Sequence, residues 1–145
     1  MATRPKIDQI DWSTFNLNMK TAANGGVITL TNTDQDLASS GVSISFTVSS
    51  ACNAFVTVSL GVSSTTDFEF RPEIRLAGSQ VSIFSPSAAA TSTGRASGRT
   101  FSAHVPLSAG VNVLSAGAFI SSATSPSIAI GGAVISALVL GNVTA

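Results

Sequence analysis

Tyrosine is absent from this chain of 145 residues, and tryptophan, histidine and cysteine occur once each. The lone Cys52 excludes an internal disulfide, so the fold must rest on its own core, which a chain of this length can supply as one domain. In strand-rich surroundings a single small thiol is expected to be a core residue. Charge is scarce too: seven basic and seven acidic residues cancel, and charged residues make up 10% of the chain. That leaves no electrostatic footprint for nucleic acid or an anionic membrane surface. Long apolar runs are also missing. The uncharged stretch from Ile128 to Leu140 falls short of the ~18 to 20 residues that cross hydrocarbon, and no Lys or Arg flanks it. Met1 to Asp8 has no apolar core after its positive charges, so no secretory signal is expected and the chain should stay in the cytoplasm where it is made.

The most informative absence lies after Thr100, where Asp, Glu, Lys and Arg do not occur again. A domain standing alone usually solvates its surface with roughly a quarter charged residues. This stretch is therefore expected to meet protein on more than one side.

What the chain does contain is alternation. From Val27 onward there are about eight strand candidates between turn signals and no helix-period stretch, which predicts an all-β sandwich or barrel. Val42, Ile44, Phe46 and Val48 alternate with Ser43, Ser45, Thr47 and Ser49. Val56, Val58, Leu60 and Val62 share a face from which Phe55 points away. In Asp67 to Leu76, the residues Phe68, Phe70, Ile74 and Leu76 oppose Asp67, Glu69, Arg71, Glu73 and Arg75. Pro72 cannot donate to a ladder, so an edge or a bulge is expected there. A short strand from Gln80 to Phe84 precedes Ser85 to Gly98, a small-residue loop. Phe101 to Leu107 and Val111 to Ile120, joined at Ser108-Ala109-Gly110, read as a hairpin. Ser127 to Leu140 is apolar on both faces, Ile135, Ala137 and Val139 on one and Val134, Ser136, Leu138 and Leu140 on the other, so cover on both sides is expected. Strands with long connections and no helices suit a single eight-stranded antiparallel jelly roll over residues 26–145 better than a meander. An immunoglobulin-like sandwich would carry a Cys and Trp signature that is missing here. Residues 1–25 read as an extended N-terminal arm ending in the turn-rich Ala22-Ala23-Asn24-Gly25-Gly26.

No catalytic constellation emerges. His104, expected on an outward face, and Cys52 are single examples without a Gly-x-Ser-x-Gly elbow or a paired base. Asp67, Glu69 and Glu73 share a strand face as glycosidase carboxylates can, but Arg71 and Arg75 between them favour ionised acids and a salt-bridged stripe. Asn32, Asp34 and Asp36 resemble the start of a calcium loop; Leu37 and Ser43 stand where its Gly and bidentate Glu belong, so an Asx-rich turn is the expectation. No zinc cluster or phosphate loop is present. The Asn142-Val143-Thr144 sequon means little without a secretory route. No enzyme activity, cofactor or metal is expected.

The arm carries Ile7, Ile10, Trp12 and Phe15 outside the alternating core, and Trp is enriched in binding hot spots. Together with the charge-free closing strand it points to a subunit of an assembly. The expected contact residues are Ile7, Ile10, Trp12 and Phe15 of the arm, the stripe Glu69, Arg71, Glu73 and Arg75, and Val134, Ser136, Leu138 and Leu140, with a closed ring of like subunits burying the second face. The runs Phe70-Arg-Pro-Glu-Ile-Arg-Leu-Ala-Gly78, Phe101-Ser-Ala-His-Val-Pro-Leu-Ser-Ala-Gly110 and Ala137-Leu-Val-Leu-Gly141 resemble the small trimeric jelly rolls of tailed-phage particles, and are similar to the tumour-necrosis-factor and complement-like trimer modules. This resemblance implies a virion protein: a capsid decoration or cement protein that forms a homotrimer and clamps the major capsid protein, or alternatively a receptor- or carbohydrate-binding module of a tail fibre. The absence of tyrosine disfavours an aromatic sugar platform, and with it the fibre.

Overall fold

The computed structural model describes residues 17–66, 68–83, 89–90, 96–122, 125–141 and 143–144. The arm residues Ile7, Ile10, Trp12 and Phe15 lie outside them. The alternating sequence forms β1 (Leu17–Ala23), β2 (Ile28–Thr29), β3 (Asp34–Asp36), β4 (Ser43–Val48), β5 (Cys52–Ser63), β6 (Phe68–Leu76), β7 (Ser79–Ile83), β8 (Ala89–Ala90), β9 (Ala96–Leu107), β10 (Gly110–Ser122), β11 (Ser127–Leu140) and β12 (Val143–Thr144), with one 3-10 turn at Ala38–Ser40. Sheet I runs β1-β11-β5-β9, with β2 beside β11. Sheet II runs β12-β4-β10-β6-β7, with β3 beside β10 and β8 beside β6. Every pairing is antiparallel. The two sheets form the expected all-β sandwich, with more strands than the eight expected.

Between the sheets lies one core, in which Phe46, Phe70, Leu60, Ile74, Leu114 and Ile120 are among the largest fully buried side chains. Burying each side chain of this size favours folding by roughly 1.5–3 kcal/mol. The inward sets expected for β4 and β5 are the ones found, Val42, Ile44, Phe46 and Val48, then Val56, Val58, Leu60 and Val62; of the two apolar faces of β11, Ile135, Ala137 and Val139 form the one that turns inward.

Four local expectations change. Leu17–Ala23 does not stay in an arm but pairs along β11 from Leu17↔Leu140 to Ala23↔Val134. The Phe101 to Ile120 segment is not a hairpin. β9 pairs β5 in sheet I, whereas β10 lies between β4 and β6 in sheet II, so Ser108 and Ala109 carry the chain from one sheet to the other. Alternation is the same for strands that pair edge to edge and strands that stack face to face, so it does not tell these apart. The crossing is held by Asn112, whose Nδ2 donates to the carbonyls of Ser108 at 2.8 Å and Gly110 at 3.0 Å. Pro72 is not on an edge strand: β6 pairs β8 at Phe68 and Glu69 and β7 from Glu73 to Leu76, and Pro72 falls in the gap between those two partners. Within the loop expected from Ser85 to Gly98, Ala89–Ala90 pair with β6 and β9 begins at Ala96.

Asn24, in the expected hinge, is a buried keystone. Its Nδ2 donates to the carbonyls of Gly26 and Ala129, at 2.7 and 2.8 Å, and its Oδ1 accepts from the Ala133 amide at 2.8 Å. These bonds span the irregularity in β11 between Ile128 and Ala133. Gly131 takes its tight turn there with a positive φ of 72°.

Candidate assembly surface

The outward positions of sheet I are set by the same alternation that fills the core. Strand pairing lines them up in rows across β1, β11, β5 and β9. One row is Met19, Leu138, Phe55 and His104; the next is Thr21, Ser136, Thr57 and Ser102; the third is Ala23, Val134, Ser59 and Thr100. The first row is apolar, with Met19 72% and Phe55 42% exposed. Met19, Phe55, Thr57, Ser136 and Leu138 line a shallow apolar depression of about 230 Å³. At its far end the Phe55 and His104 rings meet at 5.3 Å, tilted by 59°.

The second and third rows are polar but internally satisfied. Thr21 Oγ1 and Ser136 Oγ are 3.0 Å apart, Thr57 Oγ1 and Ser102 Oγ 2.7 Å, and Thr100 Oγ1 donates to Ser59 Oγ at 2.8 Å. A hydroxyl already bonded to its neighbour leaves water at a smaller penalty than an unpaired one. Among the described residues no Asp, Glu, Lys or Arg stands on this face. Lys20 of β1 turns the other way, donating from Nζ to the Ser45 carbonyl at 2.7 Å and lying 5.0 Å from the Phe46 ring centre. Arg99 shares the inward parity of β9, opposite the buried Leu60.

Of the expected contact residues, Val134, Ser136 and Leu138 lie half-buried on this face and Leu140 is 55% exposed at its end. Among the described residues, the cover anticipated on both sides of β11 is thus supplied on one side only. Met19, Phe55 and His104 complete the surface. Phe55 signalled itself by breaking the inward pattern and His104 by its outward position, while Met19 was hidden in the supposed arm.

The stripe on β6, expected as a salt-bridged solvent or interface face, divides in two. Glu69 and Arg71 remain partly exposed and form an ion pair, with Arg71 5.3 Å from the centre of the Phe119 ring. Glu73 and Arg75 are buried, with relative exposures of 1% and 9%. Their side chains lie over Gly117 of β10: a Cβ there would meet Arg75 Nε at 2.5 Å and Glu73 Oε2 at 3.0 Å. The bare strand lets Arg75 reach from β6 to Asp34 on β3, while its Nη2 also donates to Glu73 Oε2 at 2.9 Å and its Nη1 to the Gly78 carbonyl at 3.0 Å. Burial pushes the Glu73 carboxyl up to about 7; the hydrogen bond from Arg75 opposes the rise and the nearby Asp34 adds to it. Asp36 accepts from the Ala38 amide at 2.9 Å, closing an Asx turn. The Asn32 to Asp36 segment therefore spends its two carboxylates on protein partners.

The architecture defines the chain as an antiparallel β-sandwich, and solved structures share it. A chain of the T13 infectious bursal disease virus particle superposes with a TM-score of 0.56 at 12% identity, over 86% of this chain and 31% of that one. A chain of the Gt strain of the same virus gives 0.54 at 14%, over 98% and 37%. The Eiger TNF of S. frugiperda gives 0.54 at 12%, over 89% and 96%. The chain spans about a third of the virus-particle chains it matches. At these identities the likeness is one of fold. No family model and no curated protein matches the sequence. Among the described residues no helix is long and apolar enough to cross a membrane.

Proposed function

We propose that the protein is a non-enzymatic structural component of a virion, which assembles with copies of itself through the outer face of sheet I. The carrying observation is that face: four strands wide, free of formal charge among the described residues, with an apolar row beside hydroxyls that bond one another. A charged partner would lose hydration there without gaining a counter-ion. A second copy brings an equally neutral surface, and a closed ring of copies leaves none of it in water. The sandwich shared with virus-particle chains supports the virion setting. Within that setting the reading is a homotrimeric decoration or cement protein on a capsid, made in the host cytoplasm, whose segment before Leu17 contacts the major capsid protein or another virion protein through Ile7, Ile10, Trp12 and Phe15.

Three measurements test this. Native mass in dilute neutral solution should be three times that of the chain, and a monomer sinks the assembly. Quantitation of the protein in purified particles should give hundreds of copies, whereas a handful favours a fibre module and none overturns the virion reading. A variant lacking residues 2–16 should keep its trimer mass and lose capsid binding; unchanged binding removes the arm from the account.

A further inference from the structure

We propose that protonation of His104 disassembles the oligomer, so that copies associate at neutral and basic pH and separate in mildly acidic solution. This rests on the reading of the sheet I face as the contact between copies. His104 is exposed on β9 at the end of the apolar row. The groups around it are Ser102 and Pro106 on its own strand, Phe55 opposite it on β5 with Asn53 and Thr57 diagonal to it, then Leu138 on β11 and Met19 on β1. None of these carries charge or titrates in the neutral range. Cys52 belongs to the inward parity of β5, opposite Leu107.

A second copy presenting the same face adds the same groups, so among the described residues an imidazolium buried there meets no carboxylate. It would lose its hydration without compensation. In the separated subunit that charge stays in water. Covering the face therefore disfavours the protonated form in the assembly. The neutral imidazole, with one donor and one acceptor, buries at far smaller penalty. Histidine ordinarily gains its proton between about pH 8 and pH 5. By linkage, association then weakens as pH falls, by about tenfold per pH unit for each histidine buried and by about a thousandfold for a trimer.

Sedimentation velocity at about pH 8 and about pH 5.5 tests this on the full chain, with circular dichroism at each pH to follow the fold. The wild type should be oligomeric at the higher pH and monomeric, still folded, at the lower. His104→Gln should stay oligomeric at both, and His104→Lys monomeric at both. Dissociation of His104→Gln in acid would assign the effect to another group, such as Glu73, and overturn the proposal. A wild type that remains assembled in acid overturns it too while leaving the assembly itself intact. A wild-type monomer at the higher pH overturns the assembly reading first.

Discussion

On the outside of sheet II, β6 holds Glu69, Arg71, Glu73 and Arg75; on the outside of sheet I, the same kind of position on β5 and β11 holds Phe55, Thr57, Val134, Ser136 and Leu138. Both sets come from period-2 strands with apolar residues inward. Sheet II spends its charges within the chain, where Arg75 ties β6 to β3 across Gly117. Among the described residues the outside of sheet I carries no charge and pairs its hydroxyls instead, so it is stable in water and loses little hydration when covered. The difference separates a face finished by its own chain from one that, in the proposed assembly, another copy covers.

The largest expected effect comes from making the two faces alike. Leu138→Asp puts a carboxylate in the centre of sheet I and should abolish assembly, raising the dissociation constant at least a thousandfold, about 4 kcal/mol. Thermal melting should show the monomer still folded, because Leu138 lies outside the core. Glu69→Gln on sheet II should leave the mass unchanged. Gly117→Val fills the space under Arg75 and forces apart a buried ion pair, at an expected loss of about 3 kcal/mol in urea unfolding.

The buried cluster also makes a prediction about pH. With its carboxyl raised to about 7 from an ordinary 4.5, folded Glu73 holds a proton that the unfolded chain releases between those values. Its contribution to stability is complete below about pH 4.5 and is lost as pH rises through about 7, amounting to as much as about 3 kcal/mol. Glu73→Gln should remove that part of the slope; an unaltered profile of urea midpoint against pH would show that Glu73 does not titrate in this window. A smaller loss, about 2 kcal/mol, is expected for Asn24→Ala, which strands the Ala133 amide and two carbonyls. It should speed hydrogen exchange at β11 before it alters sheet II.

Much of this contrast was legible in the sequence because alternation and charge are one-dimensional. The inward residues of β4 and β5 followed from period two, which divided β11 into two faces without saying which turns inward, and the neutrality of β11 followed from the missing charges after Thr100. What was hidden depends on pairing. Lys20 sits in sheet I, but it reaches Ser45 and leaves the outer face neutral, which no local pattern announces. Glu73 and Arg75 looked solvated because Gly117 and Asp34, which let them lie down and cover them, are far away in the chain. The β9 to β10 crossing was misread because the inward alternation of Val105 and Leu107, then Leu114 and Ala116, fits either sheet assignment.

The central claim is that copies of the chain cover the outside of sheet I. Hydroxyl-radical footprinting of the wild type at neutral pH, beside the Leu138→Asp monomer, measures this residue by residue. Met19 and Phe55, 72% and 42% exposed in the isolated chain, should react several-fold more slowly in the wild type, while Val81 on sheet II keeps its rate. Equal rates at Met19 and Phe55 in the two proteins would contradict the account.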